Sequence, residues 1–154
     1  MELISLRKYA YYDPPIGMLL LAKVTQITIF VGNKPGALAR VCSTLGRARV
    51  NILALYAPEI RGSGKVRVWV DRPEEAKEAL RAAGVRSSED EVVAMELDNT
   101  AGSFGEVAER LGKAKINIRY AYAATADGSV RSTVIMAVPN VTKALRVLKR
   151  HKVH

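Results

Sequence analysis

The 154-residue chain holds one cysteine, two histidines and one tryptophan. One thiol allows no intramolecular disulfide, and a zinc site would have to combine Cys42 with the tail residues His151 and His154 and with carboxylates. The expectation is therefore no metal and no cofactor, in a reducing and hence cytoplasmic compartment. Long apolar runs are also missing. The longest, "IGMLLLA" at 16–22, falls far short of the roughly 20 residues of a membrane span. "YYDPP" precedes it, and Arg7 and Lys8 stand apart from it, unlike the charges of a secretory leader. Catalytic sets are scarce too. Cys42 falls on an apolar helical face with Leu38 and Leu45, and no carboxylate pair stands out near the loops, so no enzyme activity is expected.

What the chain does have is a globular composition, 49% apolar and 25% charged, enough for one ordinary domain or two very small ones. Its formal charge of +9 favours anionic partners. Yet the lysines and arginines are spread out. Only "RVLKRHKVH" at the C-terminus is a local basic cluster, and a solvated helix end accounts for it.

The chain also repeats itself. Sliding it by 66 residues pairs Asn33 with Asn99, Gly36 with Gly102, Leu45 with Leu111, Gly46 with Gly112, Asn51 with Asn117, Ile52 with Ile118 and Tyr56 with Tyr122. The matches continue without a gap to Lys77 and Lys143, well above the roughly three identities that composition alone would give. This is a duplication. Its boundaries are expected at 24–90 and 91–154, after an extension over 1–23 that is either an extra strand or a tail.

Both copies carry the same element pattern. "QITIFV" (26–31) and "VVAMEL" (92–97) are short β-branched apolar runs that predict strands. Leu38, Val41, Cys42 and Leu45, and in the second copy Phe104, Val107, Ala108 and Leu111, repeat at helical spacing. Gly46 and Gly112 fall near the ends of these helices, where a close approach to the sheet or a helix end would call for glycine. "NILALYA" and "NIRYAYA" predict second strands, "KVRVWV" and "VRSTVIM" third strands, with turns at "RGSG" and "ADGS" between them. Second helices follow, with Ala76, Ala79, Leu80 and Ala83 on one face and Val141, Ala144, Leu145 and Leu148 on its counterpart. "GVRSSEDE" (84–91) predicts a short closing strand and a linker. The order is β-α-β-β-α-β, so the fold class is α+β: two tandem ferredoxin-like units, each with antiparallel strands and its helices on one face. The second copy ends at His154 with no room for a closing strand beyond "HKVH". An open edge beside "VVAMEL" would invite aggregation, so "MELISLRK" (1–8) is expected to pair there; the alternative is a start at Met18 after a loose tail.

Two features of each copy suit ligand binding. "GNKPGAL" and "DNTAGSF" lead from a strand into a helix, whose first N–H groups and dipole attract an anion, and glycine at 36 and 102 leaves room for its approach. Asn33 and Asn99 could equally form an Asx-turn or cap the helix. Asn51 and Asn117 open apolar strands, where asparagine is disfavoured. Their amides could hold both ends of an amino acid or could cap the turn before the strand.

"NKPGALARVCSTLGRARVNI" and "NTAGSFGEVAERLGKAKINI" both resemble the ACT domain signature, in which a strand runs into Asn or Asp, any residue, Pro, Gly and Leu, and a helix then ends in Gly, Ile, Asn, Ile. The resemblance implies a stand-alone tandem ACT protein without a catalytic domain, binding an amino acid effector between paired units. It implies that Asn33, Gly36, Ala37 and Leu38 face Asn117 and Ile118, and that Asn99, Gly102, Ser103 and Phe104 face Asn51 and Ile52, within one chain or across a homodimer. A partner enzyme could receive the signal, as with the small subunits of acetolactate synthase. The copies depart from the signature at Ala101 for Pro, Phe104 for Leu, and at Arg49 and Val50. Lys34 opposite Thr100 gives the two loops different charge.

An RNA-binding module shares the plan and suits the positive charge, but such modules stack bases on aromatics of the central strands. "KVRVWV" offers Trp69 alone and "VRSTVIM" none, so nucleic acid is not expected as a partner.

Overall fold

The computed structural model describes residues 18–58 and 64–149. The elements run β1 (Met18–Val31), α1 (Ala37–Arg47), β2 (Ile52–Tyr56), β3 (Gly64–Val70), α2 (Pro73–Ala82), β4 (Ser87–Asp98), α3 (Ser103–Lys113), β5 (Tyr120–Ala124), β6 (Arg131–Ala137) and α4 (Val141–Lys149). They divide into two compact units. One is Thr25–Asp90; the other takes Glu91 onward together with β1 up to Val24.

In the first unit the strand order is β2-β3-β1-β4, with the start of β4 as its fourth strand. β1 and β3 pair antiparallel, Ile27 opposite Val68 and Ile29 opposite Val66. Alternation sends Ile27, Ile29, Val66, Val68 and Val70 to one face, where Val41 and Leu45 of α1 and Ala76 and Leu80 of α2 close the core. Full burial of a side chain such as Leu45 stabilises by roughly 1.5–3 kcal/mol. Helix α1 starts from Gly36, at φ 85°. It stops where Arg49 turns left-handed at φ 57°, with the Val50 N–H donating to the Leu45 carbonyl at 3.0 Å. Helix α2 starts on Pro73, whose fixed φ suits the first helical position.

The second unit repeats the plan with the order β1-β4-β6-β5. Val93, Met95, Leu97, Val134 and Met136 meet Val107 and Leu111 of α3 and Val141, Ala144, Leu145 and Leu148 of α4. Leu21 belongs to this core, and Lys23 pairs with Glu91 at 3.5 Å. The place of the second copy's closing strand, beside β4, is thus taken by the beginning of β1. The expected pairing of residues 1–8 and of "HKVH" lies outside the described residues.

Several expectations are corrected. The segment 84–91 supplies the expected closing strand from Ser87 on but no linker after it, because Ser87–Asp98 is one continuous strand. Its polar start is held beside β1 by the Phe30 N–H donating to the Arg86 carbonyl at 2.9 Å and by Thr28 Oγ1 donating to Asp90 Oδ2 at 3.1 Å. Leu38 and Phe104 are not core residues, being 42% and 38% exposed, and Cys42 is only half-buried. Thr44 is buried in α1 instead, its hydroxyl donating to the Arg40 carbonyl. Gly46 and Gly112 make no close approach, since a Cβ at either would meet nothing within 4 Å. They sit in the last helical turn, and their carbonyls accept the N–H groups of Arg49 and Lys115.

Candidate functional site

In the second unit the βα loop frames a cavity of about 250 Å³. Its walls come from the end of β4 (Leu97, Asp98), the loop (Asn99, Thr100), the first turn of α3 (Ser103, Phe104), the middle of β5 (Ala121–Ala123) and β6 (Ser132, Val134). Each wall has a local cause. Gly102, at φ 90°, turns the chain into α3. Asn99 does not cap that helix; its Nδ2 donates to the Ser129 carbonyl at 2.8 Å and its N–H to the Val130 carbonyl at 2.9 Å, so the loop is tied to the β5–β6 turn. Thr100 and Ser103 share a hydroxyl hydrogen bond of 2.7 Å across the helix start. Phe104, pointing away from the core, supplies an apolar wall. The cavity is chiefly apolar with a few hydroxyl and amide groups, the make-up of a site for a small organic molecule.

The first unit differs at the equivalent loop. A wider cleft of about 930 Å³ is lined by Phe30, Val31, Gly32, the loop Lys34–Ala37, Arg40 and Val41, with Gly64 and Lys65 of β3 and Gly84–Arg86 on the far side. Gly64 belongs there for a steric reason, since a Cβ would come within 3.2 Å of the Val31 carbonyl oxygen.

Of the residues singled out by sequence, Asn99, Ser103 and Phe104 line one cavity and Gly36 and Ala37 the other. Gly102 sets the loop of the first without touching it, and Asn33 and Leu38 lie exposed beside the second. The second-strand asparagines are elsewhere. Asn51 is exposed; its N–H donates to Asp71 Oδ1 at 2.8 Å and its carbonyl accepts the Asp71 N–H at 3.1 Å. Asn117 is exposed as well and does not open a strand, since β5 begins at Tyr120. Ile52 and Ile118 pack against the cores of their own units. Tyr122 and Ser132 line the cavity as well, outside the loop motif. The recurrence of tyrosine at 56 and 122 was a signal for the first; nothing in the sequence marked Ser132.

No group of three or more His, Cys, Asp or Glu among the described residues could hold a metal ion, and none of their helices is long and apolar enough to cross a membrane. Trp69 is 4% exposed, so the one aromatic of β3 cannot stack a base.

The model of the ACT domain pair family matches residues 22–154. Among solved structures, a Bacteroides thetaiotaomicron protein is 28% identical with a TM-score of 0.77, over 82% of this chain and 87% of its own. The regulatory subunit of aspartate kinase from Thermus thermophilus, in ligand-free form, is 19% identical with a TM-score of 0.59, over 86% of this chain and 96% of its own. The same subunit from Thermus flavus is 19% identical with a TM-score of 0.59, over 88% and 96%. Among curated proteins none matches.

Proposed function

The chain belongs to the ACT domain family as a pair of such domains, and from that premise we propose that it is a small-molecule-binding regulatory protein whose effector is an amino acid. The observation that carries this reading is the second unit's cavity of about 250 Å³, framed by the family's βα loop and walled by Phe104, Tyr122, Asn99, Thr100, Ser103 and Ser132. The hydroxyl and amide groups suit the polar ends of an amino acid, and Phe104 with Val134 suits its side chain. Asn51 and Asn117, exposed and outside the cavities, would serve where a second copy of the chain completes a site in a homodimer.

Regulation then follows from linkage. A ligand that binds one packing better than another stabilises it, and a partner enzyme or the protein's own association reads the difference. With about nine heavy atoms, at roughly −0.6 to −0.9 kcal/mol each, an amino acid would bind with a Kd of about 100 to 1 μM.

The test is a thermal-shift screen of the twenty amino acids on the wild type, Phe104→Ala and the double variant Asn51→Ala with Asn117→Ala. At a hundredfold excess over Kd, ligand linkage stabilises by about 2.7 kcal/mol, so at least one amino acid should raise Tm by several degrees, and Phe104→Ala should lose most of that rise. A loss in the asparagine variant as well supports the dimer-completed site. No response to any of the twenty contradicts the amino acid reading.

A further inference from the structure

The first unit's cleft is cationic, whereas the matched positions of the second copy are net acidic. Lys34, Arg40, Lys65 and Arg86 line it, and no carboxylate does. At five matched positions the first copy has Phe30, Gly32, Lys34, Arg40 and Lys65, a formal charge of +3, where the second has Glu96, Asp98, Thr100, Glu106 and Arg131, a formal charge of −2. The change falls on the cleft itself. In the second unit Arg131 lies 3.7 Å from Glu96; in the first, the glutamate is replaced by Phe30, and Lys65 stands 5.7 Å from that ring. Helix α3 carries Glu106 in its first turn, which offsets the positive end of its dipole, whereas α1 has no acid there and presents Arg40.

Three of the neighbouring acids have partners of their own. Glu74 and Glu89 both hold Lys77, at 2.8 and 2.7 Å, and Asp90 accepts from Thr28. Among the described residues none of the four cleft cations has a carboxylate partner within ion-pair distance. Two are nonetheless positioned: one Arg40 Nη donates to the Ala83 carbonyl at 2.9 Å, leaving the rest of its donor fork available, and Arg86 stacks 4.4 Å from the Phe30 ring. Four like charges gathered around one hollow repel each other, and a multivalent anion relieves that repulsion. Guanidinium forks favour phosphate oxygens in particular. The hollow, at about 930 Å³, is also far larger than the companion cavity.

We propose that this cleft binds a small molecule carrying two or more phosphates, making the first unit a second effector site of different chemistry. The proposal stands on the cleft alone and does not require the amino acid reading of the other unit.

The experiment is calorimetric titration of the full chain with pyrophosphate, ATP and citrate in 0.15 M KCl. Arg40→Gln with Lys65→Gln is the test variant, Lys113→Gln the remote control, and far-UV circular dichroism the check that each is folded. Saturable binding of pyrophosphate or ATP at one site per chain is expected, weakened roughly tenfold or more by the double change, since each hydrogen bond to a charged group is worth that order, and unmoved by Lys113→Gln. Phe104→Ala should leave it intact, which separates this site from the amino acid cavity. The proposal is overturned by an absence of saturable binding, by citrate binding as tightly as pyrophosphate, by equal weakening in Lys113→Gln, or by a single-stranded RNA that displaces pyrophosphate at far lower concentration.

Discussion

At the scale of single residues, two pairs of glycines kept in both copies differ in kind. Gly36 and Gly102, at φ 85° and 90°, occupy a backbone conformation that L side chains resist. Alanine at either should cost about 1–2 kcal/mol, measured as a lower midpoint in urea. Gly46 and Gly112 have helical neighbours and open space around them. Alanine there should stabilise by about 0.5–1 kcal/mol each, a direction opposite to the first pair; destabilisation at Gly46 would show that this glycine is needed for a contact outside the single chain. The asparagines also divide. Asn99 ties the loop to the β5–β6 turn, so Asn99→Ala should cost about 1 kcal/mol in stability and loosen ligand binding with it. Asn51 is held through its backbone by Asp71, so Asn51→Ala should change the chain's own stability little.

At the scale of elements, periodicity locates the four helices and most strands of the described residues, because their buried residues recur at 3.6 or 2. It misses where β1 begins and β4 begins. "MLLLA" is a continuous apolar run with no alternation, and "SSED" is polar and largely exposed, so neither carries a strand period. Both are strands because the start of each lies beside the other strand within its unit, information held in the tertiary pairing. That pairing makes a prediction. Leu21, though it precedes the whole first copy, is buried with Val93 and Met95, so Leu21→Ala should destabilise by about 2–5 kcal/mol. Amide hydrogen exchange should speed up chiefly in β4, β6, α3 and α4; faster exchange confined to β2 and β3 would refute the placement. The cavities were legible only by half. Asn99, Ser103 and Phe104 follow from the repeated loop motif, whereas Tyr122 and Ser132 enter through the β5–β6 pairing, which no local pattern encodes.

At the scale of the molecule, duplication supplied two frameworks and substitution then made them unlike. The same loop, with the same left-handed glycine, frames a small apolar cavity in one unit and a wide basic cleft in the other. Cores tolerate little change because packing is dense, and so the identities persist in Leu45 and Leu111 or Val41 and Val107; charge at the loops is free to diverge. In the function we propose, the loop-framed cavity of the second unit takes the effector. The most direct test of this is a backbone-amide NMR titration with whichever amino acid raises Tm most. Saturable shifts should map to Asp98–Ser103, β5 and Ser132–Val134, and vanish in Phe104→Ala; a saturable titration that leaves those amides unmoved would contradict it.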